Sequence, residues 1–141
     1  MPVVIGGQPG GYAKGAKVTG ANGIVFMSGR CGRDDVTGKN VEGAGEQTKI
    51  ALEKIKQGLV ELGSSLENIL HINTYRKGNF PNGMSSDPKS AEIANAMQEF
   101  WKENCPQFMK GNSPPAMTGV GVTALGQAEW LIEIQVVAAV P

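Results

Sequence analysis

The C-terminal run Leu131-Ile132-Glu133-Ile134-Gln135-Val136-Val137-Ala138 most restricts what this chain can fold into. Period-two alternation puts Trp130, Ile132, Ile134, Val136 and Ala138 on one face of a strand, and Leu131, Glu133, Gln135 and Val137 on the other. The first face is core. The second is apolar except for an acid and an amide, and a carboxylate in such a place must find partners or do chemistry. Upstream, Pro114-Pro115-Ala116-Met117-Thr118-Gly119-Val120-Gly121-Val122 reads as another strand, joined to the first by a short link containing glycine. Val120, Val122 and Ala124 form one of its faces, and Met117, Gly119 and Gly121 the other. The two glycines leave room for a ligand or for another chain to approach. If the two strands pair, the acid faces a small cavity.

A length of 141 residues suits one domain, 1–141, with a sizeable core, and 40% hydrophobic against 18% charged residues supports folding. The 13 basic and 13 acidic residues cancel. A general nucleic-acid binder needs excess Lys and Arg to displace counterions from phosphates, so nucleic acid is not an expected partner. No apolar run is long enough for a membrane span, and the N-terminal residues do not read as a signal peptide. Cys31 and Cys105 lie far apart and form no CxxC, which reads as two reduced thiols in a cytoplasmic protein.

Residues 12–20 and 24–30 read as two strands around Gly20-Ala21-Asn22-Gly23, a hairpin signal. Residues 32–45 read as a loop. A helix follows over residues 45–62, with Ala51, Leu52, Ile55, Leu59 and Leu62 inside and Glu46, Lys49, Glu53 and Lys56 outside. Gly63 is placed to end it. Gly58 within it implies close packing. Residues 69–76 read as a central strand and 78–86 as a loop, a potential lid over a cleft. Asp87 caps a second helix with Pro88 at its first position, striped by Ile93, Met97, Phe100 and Trp101, and ending before Pro106. The order is β-β-α-β-α-β-β, with an additional strand near the N-terminus: an α+β domain with both helices on one sheet face. The other face is too apolar to stay in water and should be buried by self-association.

Single motifs say little. There is no P-loop, HExxH, zinc cysteine set or nucleophile elbow. Gly6-Gly7-Gln8-Pro9-Gly10-Gly11 reads as a loop. His71, the one histidine, reads as a core or interface residue, and no metal site is expected. Together, however, a series of motifs in order resembles the Rid family, the YjgF-like reactive-intermediate deaminases. These are Gly11-Tyr12 with Gly15, Phe26-Met27-Ser28-Gly29, the helix from Gln47 to Gly63, Asn73-Thr74-Tyr75, Phe100-Trp101, Pro115-Ala116-Met117-Thr118 and the C-terminal strand.

The resemblance implies a chorismate-mutase-like α+β fold and a homotrimer with active sites in clefts between subunits. Members hydrolyse imines and enamines without a cofactor: water attacks the imine carbon and ammonia leaves. Carried over by position, Tyr12, Ser28 and Gly29 line the site and Glu133 positions or deprotonates the water. Met117, Thr118 and Gly119 bind substrate from the neighbouring strand. Met117 is a departure, because the best-known deaminases have there an arginine that holds the substrate carboxylate by two hydrogen bonds. Gly119 and Ala94 also replace residues that are often Cys and Asn. The chain thus resembles the subgroups that lack the arginine. Arg30, with Arg33 and Arg76 also available, is a candidate replacement, although a solvated charge is the plainer reading of each. Two functions remain open: a hydrolase of a small imine, enamine or related metabolite, or a trimer that binds a small molecule without turnover. An endoribonuclease is disfavoured by the zero net charge and the lack of a histidine pair.

Overall fold

The computed structural model describes residues 2–7, 12–109 and 114–141. Its strands are β1 (Pro2–Gly7), β2 (Ala13–Val18), β3 (Gly23–Phe26), β4 (Arg30–Cys31), β5 (Ile69–Lys77), β6 (Ala116–Val122) and β7 (Ile132–Val140). Two helices, α1 (Ala44–Glu61) and α2 (Pro88–Asn104), stand before and after β5. The strands form one mixed sheet in the order β1-β2-β6-β5-β7-β3, with β4 also on β7. Both helices pack on one face of it, as the sequence implies.

The apolar spacing accounts for the core. Ala51, Leu52, Ile55 and Leu59 of α1 are buried, as are Ile93, Met97, Phe100 and Trp101 of α2. They close over Ile132, Ile134, Val136 and Ala138 of β7 and Ile72 of β5. Trp101 makes edge-on ring contacts with Phe100 and Phe108. Asp87 caps α2 by accepting a hydrogen bond from Lys89 N at 2.8 Å, with Pro88 in the first turn. Gly63, at φ +81°, follows the end of α1 in a left-handed conformation that favours glycine. Gly58 is explained by close packing: a Cβ there would lie 2.5 Å from Met27 Cε.

Several expectations are corrected. Residues 12–20 and 24–30 do not pair as a hairpin: β2 lies between β1 and β6, while β3 lies on β7 at the other end of the sheet. Tertiary pairing overrides the local turn signal, since Val25 opposite Ala138 buries both against the helices. The expected N-terminal strand is present as β1, and it takes in Gly6 and Gly7, read above as loop; Gln8–Gly11 of that motif lie outside the described residues. Leu62 ends up 55% exposed, beyond the last turn of α1, and not in its inner stripe. Most consequentially, β6 and β7 do not pair. β5 runs between them, parallel to β6 and antiparallel to β7.

Candidate functional site

The register across β6, β5 and β7 decides which side chains share a face. Ile72 stands opposite Met117 and Val136, Thr74 opposite Gly119 and Ile134, and Arg76 opposite Gly121 and Ile132. Paired residues point the same way, and neighbours along a strand point opposite ways. Since Ile132, Ile134 and Val136 face the helices, so do Met117, Gly119 and Gly121. The other, open face carries Glu133 beside Tyr75, Gln135 beside Asn73, and Val137 beside His71. Thr118 and Val120 of β6 join that face.

Glu133 therefore does not face a cavity shared with Met117 and Gly119 of its own chain. They lie on opposite faces, two strands apart, which is about 10 Å at ordinary strand spacing. The room that the β6 glycines leave is filled from within. Phe80 and Met84 of the 78–86 segment lie over Gly121, and Met84 also reaches Gly119.

Glu133 does have one of the expected neighbours. Its carboxylate rests on Gly29, so closely that a Cβ at Gly29 would lie 2.8 Å from Glu133 Cδ and 2.9 Å from Cγ. The absence of a side chain at residue 29 is what admits the carboxylate. Ser28 is exposed just before it, in the link from β3 to β4. Arg30 follows in β4 opposite Ile134, with its Nε buried and without a hydrogen-bond partner. Tyr75 Oη lies 3.4 Å from Gln135 Oε1, and His71 Nε2 lies 3.5 Å from Thr118 Oγ1. Tyr12 is 45% exposed at the start of β2, where Ala13 meets Ala116. Of the residues singled out in the sequence, then, one chain brings Gly29, with Ser28 before it, to Glu133, while Arg30 pairs with Ile134, a residue of the helix-facing side. The chain holds Tyr12, Met117, Thr118 and Gly119 apart from them, on or beside β6.

The open face is apolar around this group. Phe26 is 77% exposed, and Ile24 and Val120 are also exposed on that side. Both cysteines are buried and free, and burial pushes the Cys105 thiol up to about 11.

Gln47 is a residue the sequence reading passed over. It is buried within the inner stripe of α1, one turn before Ala51. Its amide nitrogen donates to Val41 O at 3.0 Å and Glu129 O at 2.8 Å, and its Oε1 accepts from Leu131 N at 2.8 Å. It thereby fixes the entry into β7 two residues before Glu133. An amide at a position where the helical period demands an apolar residue was the available signal.

Comparison with known proteins agrees with this architecture. The family model described as Endoribonuclease L-PSP matches residues 8–140. A RutC family protein of Aquifex aeolicus (strain VF5) is 30% identical over 130 residues, which are 92% of this chain and 88% of that protein. Among solved structures, the Rid family protein YyfB of Yersinia pestis, of unknown function, matches with a TM-score of 0.75 at 22% identity over 98% of both chains. E. coli TdcF, solved with bound serine, matches with a TM-score of 0.67 at 22% identity, over 91% of this chain and 87% of its own. At these identities the solved structures speak for the fold. With the family model spanning nearly all of the sequence, the chain belongs to the Rid family of YjgF-like proteins.

Proposed function

We propose that this chain is a small-metabolite hydrolase that deaminates an imine, an enamine or a related reactive intermediate in clefts between the subunits of a homotrimer. The observation that carries the reading is the Glu133 carboxylate on the open sheet face, seated on the side-chain-free Gly29. A carboxylate so placed takes a proton from water as the water adds to the imine carbon. That proton is delivered to nitrogen to give the carbinolamine, whose hydroxyl proton then passes to nitrogen as the carbon–nitrogen bond breaks, so that ammonia and a carbonyl compound leave. Ser28 and Gly29 border the water. Tyr12, Met117, Thr118 and Gly119, held apart from Glu133 within one chain, complete the cleft from a neighbouring subunit. The exposed Phe26, Ile24 and Val120 give that subunit an apolar surface to cover. The serine held by TdcF supports a ligand of amino-acid size.

The test is ammonia release from imines generated in situ from several amino acids. Glu133→Gln is expected to lower turnover by about 100-fold or more while the assembly keeps its mass. Equal turnover in the variant overturns the role of Glu133.

A second reading, binding without turnover, is favoured by Met117. Its half-buried thioether packs against the core side of the sheet and offers no fork to a carboxylate. Saturable binding of an amino-acid-sized ligand, with no ammonia released, supports this reading over the first. RNA is not proposed as a substrate despite the wording of the family description: the chain has one histidine and no excess of positive charge.

A further inference from the structure

Thr74 and Arg76 hold two of the buried polar atoms that have no hydrogen-bond partner, Thr74 Oγ1 and Arg76 Nε. Both residues belong to β5 and, two positions apart, point to the same helix-facing side. Thr74 is 1% exposed. A buried hydroxyl or guanidinium N–H left unpaired is costly, and two on one surface call for an explanation. Arg76 forms no ion pair among the described residues. Burial alone lowers its pKa from the ordinary value, with no acid opposing the shift.

What lies above them is not protein backbone but two replaceable side chains. Opposite Thr74 and Arg76 stand Gly119 and Gly121, which have nothing to project into the space. A Cβ on Gly119 would lie 3.3 Å from Thr74 Oγ1 and 3.7 Å from Met84 Cε. One on Gly121 would lie 2.8 Å from Phe80 Cδ2 and 3.4 Å from Met84 Sδ. Phe80 and Met84 therefore roof the floor that the glycines leave open. The rest of their segment is a surface turn: Asn79, Pro81, Asn82, Gly83, Ser85 and Ser86 are exposed, and Gly83 sits at φ +88°. Lys89 and Ser90, in the first turn of α2, line the cleft beside Arg76 and Phe80.

We propose that Thr74 and Arg76 form the floor of a binding site for a small oxyanion, a carboxylate or phosphate, which enters when Phe80 and Met84 swing away. The hydroxyl and the guanidinium Nε–H are donors that an oxyanion would satisfy and that an apolar ligand would leave unpaired. Lys89 stands at the mouth, its ammonium 3.9 Å from the Asp87 carboxylate and donating to Lys77 O. Within one chain the site lies on the opposite sheet face from Glu133; Gly119 also belongs to the cleft proposed above, so on the neighbouring subunit's side the site deepens that reading, and anion binding and turnover are measured separately.

The probes are sodium propionate and, separately, sodium phosphate, titrated at constant ionic strength while the Arg76 Nε–H resonance is followed by NMR. The wild type is expected to show a saturable shift with at least one of them, and the one that saturates identifies the oxyanion. Phe80→Ala should tighten that binding by about 5-fold or more, because the roof no longer competes with the anion. Thr74→Val, which keeps the shape and removes the donor, should weaken it by about 10-fold. Glu133→Gln should leave it unchanged. No saturation with either salt in the wild type and in Phe80→Ala overturns the site, as does Thr74→Val binding as tightly as the wild type.

Discussion

One added methyl group separates the glycines of this chain by what it would strike. At Gly32 a Cβ would lie 2.7 Å from the Cα of Gln47, part of a helix backbone that cannot yield. At Gly58 it would meet only the terminal methyl of Met27, the end of a flexible side chain. Gly32→Ala is therefore expected to destabilise by about 2 kcal/mol or more, as overpacking does. Gly58→Ala should stay within about 1 kcal/mol of wild type, since the helical preference of alanine offsets the displacement of Met27. Urea denaturation of the two variants side by side checks the order, and equal losses would show that the Gly32 region relaxes freely. Gly29 is a third kind: its missing side chain makes room for the Glu133 carboxylate. None of these contacts is local in sequence, which is why composition and spacing flagged Gly58 and left Gly32 unremarked.

Among the elements, α2 shows how far local chemistry reaches. Asp87 and Pro88 announce its start in the sequence, and the structure has the Asp87 carboxylate accepting from Lys89 N. Asp87→Ala should cost about 1 kcal/mol, measured as a lowered urea midpoint with an unchanged slope. A neutral outcome would mean that packing alone holds the first turn. The strand-forming segments were legible in the same way, from alternation. Their partners were not, because alternation specifies a face and says nothing about which strand lies alongside. The Gly20-Ala21-Asn22-Gly23 turn predicted a hairpin between β2 and β3, yet each found a partner elsewhere in the sheet. The 78–86 segment read as a loop from its glycines and Pro81. That it inserts Phe80 and Met84 over two strand glycines could be learned only from the packing.

For the whole molecule the unfinished surface is the open sheet face. A Phe26 ring that is 77% exposed, with Ile24 and Val120 also exposed, is a poor surface for an isolated chain. Three chains of 14.8 kDa give an expected mass of about 44 kDa in solution. Light scattering at micromolar concentration checks it, and a monomer would remove the intersubunit cleft along with the assembly. Phe26→Glu, which puts a charge on that face at its β3 edge, should shift the mass toward the monomer while the helical signal of circular dichroism persists. A variant that remains fully assembled would show that the interface lies elsewhere.

The sequence by itself determined the class of fold, the position and inner faces of both helices, the core face of β7 and the placing of Glu133 away from that core. Each follows from residue type and spacing within one segment, where physical period and side-chain chemistry act locally. It also carried enough ordered motifs to indicate the family. Tertiary structure alone decided that β5 separates β6 from β7, and so that Met117 and Glu133 of one chain occupy opposite faces. It alone placed Gln47 as the anchor of β7 and left Thr74 and Arg76 unpaired beneath Phe80 and Met84. Strand order and hydrogen-bond partnership are settled by competition among distant segments for the same edges and the same buried volume. No single segment records the outcome of that competition.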